Sequence, residues 1–319
     1  MAGKSRFSVA ESKINKLFQN SRRRVFSKKQ IEEVFIEYRR LWNLADSMNL
    51  NKFIDSCINA GILNEVILVP KAPEQLHMLK VKEVMFYGGN FMPPSKEASD
   101  KKVLYTVGRV NVFELALNIK NRSFLSHFSA VYLNGLTSQI PKMVYVSSEQ
   151  SLRRPSLKPA AKLIQSNIDK AFAKPQRKSN NIFVYEDYSF LLHDGMFTDR
   201  TGIYTRAEDG LTLTNLERTL IDIAVRPEYA GGVDAVLNAY RNAKDRVSLN
   251  KLAAYLTNIN FVYPYWQVIG FYLHHAGYES SRLKIFKEHV SEYFFYLTYE
   301  IFNPDFDREW QIWYPKRLI

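Results

Sequence analysis

A single cysteine, Cys57, stands in 319 residues. One thiol cannot close an internal bridge, and no cluster of thiolates at zinc-ligand spacing can be built from it, so a disulfide scaffold and a zinc finger are both excluded. Also missing is any run of about 18 apolar residues, the length a membrane-spanning helix needs. Charges interrupt the hydrophobic stretches, as in Ile182-Phe183-Val184-Tyr185-Glu186-Asp187. The start, Met1-Ala2-Gly3-Lys4-Ser5-Arg6-Phe7, is basic but no apolar stretch follows it, so it does not read as an export signal. The expectation is a cytoplasmic protein without a membrane partner. The chain has no glycine-rich phosphate loop of Walker or dinucleotide form, no Gly-x-Ser-x-Gly elbow, and no Gly-Ser dipeptide with paired carboxylates to hold magnesium. Its six histidines do not pair with acids at metal spacing; His274 and His275 are adjacent and would diverge on a helix. His127, among Phe124, Phe128 and Val131, reads as a hydrogen-bonded core or capping histidine. No catalytic residue, metal or cofactor is expected, and the chain reads as a non-enzyme.

What is present is apolar and basic. Hydrophobic residues make up 46% and aromatics 14%, which excludes disorder of the whole chain, and the length suggests about two domains. Lys plus Arg number 44 against 32 acids, a net charge of +12. Residues 1–30 hold nine basic residues (Lys4, Arg6, Lys13, Lys16, Arg22, Arg23, Arg24, Lys28, Lys29) against Glu11 alone. Residues 150–180 hold eight (Arg153, Arg154, Lys158, Lys162, Lys170, Lys174, Arg177, Lys178) against Asp169. These two blocks exceed the whole net charge, so the remainder is slightly acidic. The second block contains Pro155, Pro159 and Pro175 and reads as a connector.

After the first block the pattern becomes helical. Ser27 and Gln30 have the spacing of a capping box, and Ile31, Val34, Phe35, Tyr38 and Leu41 recur on one helical face. Leu50, Phe53, Ile54, Cys57 and Ile58 repeat that pattern, and Gly61 ends it. Strand-like runs follow at residues 62–69 and 103–107, separated by a polar excursion that contains an apolar stretch at 81–87. Helix, link, helix and two strands is the order of a winged helix-turn-helix, with the second helix in the recognition position. Its outer face offers Asn51, Lys52, Asp55, Ser56 and Asn59, whose amides and hydroxyl suit base edges. Arg22, Arg23, Arg24, Lys28 and Lys29 would neutralise phosphates from an arm ahead of it.

In the second half, Thr214-x-x-Glu217 has capping-box form, Arg218 and Asp222 can pair on an outer face, and Gly231-Gly232 opens a helix with Val233, Val236, Leu237 and Tyr240 inward. Leu249, Leu252, Ala253 and Leu256 line the next helix. Pro264 suits the first turn of another, on which Gly270 would let a neighbouring element approach closely. Strand-like runs at 182–185, 203–205, 294–299 and 310–313 flank these helices. The fold class expected is mixed α+β: a basic arm at 1–24, a winged helix-turn-helix at 25–120, and a mixed C-terminal domain at 121–319.

The run Ser123-Phe124-Leu125-Ser126-His127-Phe128-Ser129-Ala130, closing on Gly135-Leu136-Thr137, resembles the AbiEi antitoxin family of type IV toxin-antitoxin systems. Further matching stretches are Thr214-Asn215-Leu216-Glu217-Arg218-Thr219-Leu220-Ile221-Asp222, Val225-Arg226-Pro227-Glu228-Tyr229-Ala230-Gly231-Gly232, and Tyr263-Pro264-Tyr265-Trp266-Gln267. Trp266 stands where such proteins often carry His. The resemblance implies a bacterial, non-enzymatic autorepressor that binds inverted repeats in double-stranded DNA of its own promoter. It also implies that a C-terminal antitoxin domain counteracts an AbiEii-type nucleotidyltransferase toxin without a stable complex. Glu217, Arg218, Asp222, Arg226, Tyr263, Tyr265 and Gln267 are the antitoxin-motif residues it points to. The alternative is an RNA- or protein-interaction module. There the connector cations Arg153, Arg154, Lys158, Lys162, Arg177 and Lys178 would work with the aromatic group Phe261, Tyr263, Tyr265, Trp266, Phe271 and Tyr272, and the winged helix would serve protein contact.

Overall fold

Phe7, Ala10, Ile14 and Phe18 recur at helical spacing, and they are the buried face of the first helix, α1 (Arg6–Asn20), capped by the Ser5 hydroxyl that accepts from Ser8 N at 3.1 Å. The computed structural model describes residues 5–71, 101–151 and 163–319. The apolar stretch at 81–87 and Arg153, Arg154, Lys158 and Lys162 lie outside the described residues. Most of the segment expected as a free basic arm is thus a packed helix, because its apolar side chains complete the first core. That core also takes Phe26, Ile31, Phe35, Trp42, Phe53, Cys57 and Tyr105. Phe53 sits centrally, its ring 5.0 Å from that of Phe35 and 5.8 Å from that of Trp42.

β1 (Val25–Ser27) leads into α2 (Lys28–Tyr38) through the expected capping box: Gln30 N donates to Ser27 Oγ, and Ser27 N donates to Gln30 Oε1 at 2.8 Å. The helix stops at Tyr38 rather than reaching Leu41. Asn43 takes a left-handed conformation (φ 52°), and the turn buries Trp42 and leaves Leu41 72% exposed. α3 (Leu50–Asn59) starts at Asn49, whose Oδ1 accepts from Lys52 N at 3.0 Å, and Gly61 (φ 69°) turns the chain into β2 (Asn64–Pro70). β3 (Lys102–Thr106) pairs antiparallel with both neighbours, Phe26 opposite Tyr105 and Val66 opposite Leu104.

The same β2 strand then enters the second half. Val69 and Pro70 pair with Val184 and Phe183 of β6 (Ile182–Tyr185), and the sheet continues through β7 (Tyr188–Gly195), β5 (Met143–Glu149), β4 (Phe124–Leu125), β9 (Thr212–Thr214) and β8 (Ile203–Thr205). The result is one nine-stranded sheet of order β1-β3-β2-β6-β7-β5-β4-β9-β8, in which β5 and β7 run parallel. A single core beneath it joins Val25, Val66 and Leu104 with Phe113, Leu125, Val144, Phe183 and Phe190. α4 (Val112–Leu117) and β4, on either side of residues 120 and 121, both contribute side chains to this core.

Among the described residues the remaining α-helices are α5 (His127–Leu133), α6 (Gln165–Phe172), α7 (Leu216–Val225), α8 (Val233–Asn242), α9 (Leu249–Ile259), α10 (Tyr265–His275) and the short α11 (Lys284–Lys287). A three-stranded sheet, β10 (Phe295–Tyr296), β12 (Ile312–Pro315) and β11 (Pro304–Asp307), closes the chain. The fold class is mixed α and β, as expected. Gly270 meets its expectation: a Cβ there would lie 2.0 Å from the fully buried Trp310 ring. Among the described residues no helix is long and apolar enough to cross a membrane.

Candidate nucleic-acid interface

Arg22, Arg23, Lys28, Lys29, Asn51, Lys52 and Asn59 are all exposed, on the link before α2, the first turn of α2 and the outer face of α3. Among the described residues no ion pair within 4.0 Å involves residues 5–70. The charges are also placed against the helix dipoles. The first turns of α1, α2 and α3 contain no acid and instead carry Arg6, Lys28, Lys29 and Lys52. A cation beside the positive end of a helix is unfavourable in the free protein and favourable once an anion sits there. Elsewhere α4, α7 and α8 have the ordinary arrangement, with Glu114, Glu217 and Asp234 in their first turns, while α9, which also starts without an acid, pairs its Lys251 with Glu217.

Arg24 departs from its neighbours. Its Nε and Nη2 donate to Val107 O at 2.9 and 2.6 Å, and Val107 N donates back to Arg24 O at 2.9 Å. The guanidinium clamps the end of β3 rather than facing solvent. Ser56 is half-exposed, its hydroxyl proton given to Lys52 O at 2.8 Å, so it can only accept. Cys57 is fully buried, and burial pushes its thiol up to about 12.

The antitoxin-motif residues are tied inside the second half. Asn215, not Thr214, caps α7, accepting from Arg218 N at 3.0 Å; Thr214 Oγ1 bonds Thr219 Oγ1 at 2.8 Å instead. Glu217 is 5% exposed and serves a different helix, accepting from Ser248 N at 3.1 Å and pairing with Lys251 at 2.9 Å at the start of α9. Arg218 and Asp222 do pair, at 2.8 Å, but in the interior rather than on an outer face. Arg218 also donates to Thr198 Oγ1 at 2.9 Å and Thr201 O at 2.6 Å. Burial raises the Asp222 carboxyl above its ordinary range, against the pull of Arg218. Gln267 is fully buried: its amide donates to Tyr293 O and Trp310 O, both at 3.0 Å, and its oxygen accepts from Ser291 N at 3.0 Å. Arg226 donates to Arg177 O at 2.9 Å and lies over the Tyr229 ring, and Lys178 pairs with Glu228 at 3.0 Å. Phe271 and Tyr272 are core. Tyr263, Tyr265 and Trp266 line a cleft of about 190 Å³ with Phe261 and His289, whose ring stacks on Trp266 at 4.0 Å.

Two groupings escaped sequence reasoning. At the carboxyl ends of β5 and β7, Ser126 Oγ lies 2.8 Å from His127 Nδ1 and 2.6 Å from Ser147 Oγ, and the rings of His127, His193 and Tyr145 surround Tyr229. His127 adopts a positive φ of 48° there. Burial, then the charges of His193, Arg226 and Arg218, hold its imidazole well below the ordinary range; burial and Arg226 bring His193 to about 4. The only local signal was the Ser-His pair itself. The second grouping is His274, His275 and Asp307, with ligand-type atoms within 4.8 Å of one another. The imidazoles stack at 4.9 Å instead of diverging. Trp310 Nε1 directs its proton at His274 Nδ1 (3.0 Å), and His275 Nε2 lies 3.0 Å from Asp307 Oδ2; both bonds fasten the β11–β12 hairpin to α10.

No family model matches the chain, and no curated protein matches it. Among solved structures it is similar to the RV2827C protein of Mycobacterium tuberculosis at 13% identity and a TM-score of 0.52. The likeness covers 96% of this chain and 91% of that one, and it supports the overall mixed α and β architecture.

Proposed function

We propose that the N-terminal part of the chain is a winged helix-turn-helix that binds double-stranded DNA, and that the protein is a transcriptional autorepressor and the antitoxin of a type IV toxin-antitoxin pair. The carrying observation is the charge at three helix starts: α1, α2 and α3 each present a cation at the positive end of the helix, with no acid in the same turn. That arrangement favours phosphate. The α1-β1-α2-α3-β2-β3 order, with β3 between β1 and β2, supports the winged-helix assignment. The antitoxin half of the proposal rests on the residue runs around His127, Glu217 and Tyr229.

The test is direct. Fluorescence anisotropy of the full chain on duplex DNA from its own upstream region should give an affinity that falls steeply with salt, and a reporter on that promoter should be repressed. Absence of duplex binding at low salt refutes the DNA-binding part. Co-expression with an AbiEii-type nucleotidyltransferase toxin should restore growth, and failure to do so refutes the antitoxin part alone. Single-stranded RNA bound more tightly than duplex would instead favour the RNA module, with the Trp266 cleft as its base-stacking surface.

A further inference from the structure

At about 100° per residue, the exposed positions of α3 occupy one arc, running from Asn51 through Asp55, Asn59 and Lys52 to the half-exposed Ser56. The buried Phe53, Ile54 and Cys57 fill the other side. An acid therefore stands near the middle of the face that meets DNA. Asp55 has no hydrogen bond and no ion pair among the described residues, and Lys52, one turn away, does not reach within 4.0 Å of it. A carboxylate facing a polyanion is repelled unless a base edge donates to it. In the major groove cytosine N4 donates, while guanine O6 and N7 accept. Lys52 and Asp55, three residues apart, thus present one donor and one acceptor to the complementary edge of a single C·G pair. Asn51 and Asn59 flank them, each with an amide that no other group in the described chain engages, suited to adenine N6 and N7.

We propose that α3 reads a C·G pair through Lys52 and Asp55, flanked by A·T pairs read by Asn51 and Asn59, with Asp55 also acting as a repulsive gate against non-matching DNA. A gate of this kind gains specificity by rejecting the wrong partner as well as by holding the right one. The proposal rests on α3 being the recognition helix of the DNA-binding function above.

The experiment is selection from a duplex pool with a randomised core, using the full-length chain and its D55N and N51A variants. The wild type should enrich one C·G column flanked by adenine columns. D55N should lose about tenfold of the cytosine preference, because an amide can serve adenine as well, and should bind unselected duplex more tightly than wild type. N51A should lose one adenine column and keep the cytosine. Both side chains are exposed and no hydrogen bond holds them, so thermal melts should match wild type. The same motif at the same strength from D55N overturns the proposal. A wild-type chain that binds duplex with steep salt dependence yet enriches no motif also overturns it, while leaving the DNA-binding function standing. No binding to any duplex at low salt would remove that function and the proposal with it.

Discussion

Three consecutive arginines should separate into two behaviours when each is changed to alanine. Arg24 gives two hydrogen bonds to the fully buried Val107, at 2.9 and 2.6 Å, across 83 residues of chain. Hydrogen bonds from a charged donor contribute about 1.5–3 kcal/mol, so Arg24→Ala should cost about 2 kcal/mol. With about 2.1 cal/mol/K of unfolding entropy per residue, a chain of this length loses about 3 °C in Tm. Arg22 and Arg23 are exposed and have no ion pair among the described residues, and their alanine variants should melt within about 1 °C of wild type. On DNA the order reverses. Each lost phosphate contact lowers the slope of log K against log salt by about 0.9, which is about a 3.5-fold smaller loss of affinity between about 50 and 200 mM salt. The Arg22→Ala, Arg23→Ala double variant should therefore flatten that loss about twelvefold, while Arg24→Ala leaves the slope alone. Differential scanning fluorimetry and anisotropy titrations at several salt concentrations read both quantities. Equal slope changes for all three arginines, or a stable Arg24→Ala, would refute the division of roles.

The interior makes predictions of its own. Gly270→Ala drives a methyl into Trp310, whose indole is fully buried and bonded to His274; the loss should exceed the usual overpacking cost, at least about 3 kcal/mol, and an unchanged Tm would contradict the packing. Acid should destabilise the fold through His193. The unfolded imidazole takes its proton near pH 6.5 and the folded one only near 4, so stability is complete above pH 6.5 and is lost as the pH falls toward 4, by on the order of 3 kcal/mol. Denaturant midpoints across that range should show the slope, and His193→Asn should reduce it, leaving the part that comes from His127, whose imidazole is also held well below the ordinary range. Cys57, fully buried with its thiol raised to about 12, should react with a thiol reagent only as the N-terminal core opens. Labelling of the native protein at the rate of a free thiol would argue against that core.

Several elements were legible because their signals are local. The Ser27–Gln30 box, the 3.6-residue stripes of α2, α3, α8 and α9, and the turn at Gly61 depend on residues within one or two turns of each other, and they appear where the pattern places them. α1 carried an equally plain stripe, Phe7, Ala10, Ile14 and Phe18, hidden beneath its charge. Gly270 was readable too, since a glycine inside an apolar helix has little reason to be there except close approach. Distant partners were not readable. Thr214 and Glu217 match a capping box in spacing, yet the neighbouring Asn215 takes the cap, and α9 brings Ser248 and Lys251 to Glu217. Likewise Arg218 and Asp222 sit at the spacing of a surface ion pair, and only the loop carrying Thr198 and Thr201 encloses them.

The chain's own order of residues determined where its helices begin, which faces are apolar, and that the excess charge lies in blocks rather than over the whole surface. Tertiary structure alone decided which of those charges remain for a partner. Packing turned Arg24 back onto Val107, buried Arg218, and left Arg22, Arg23, Lys28, Lys29 and Lys52 without a counter-ion among the described residues. It also carried β2 from the first half into the sheet of the second, through Val69 opposite Val184. The physical reason is range: helix caps and stripes are settled by neighbours a few residues away, whereas the partner of a charge or the far edge of a strand lies up to a hundred or more residues distant and exists only once the chain has closed on itself.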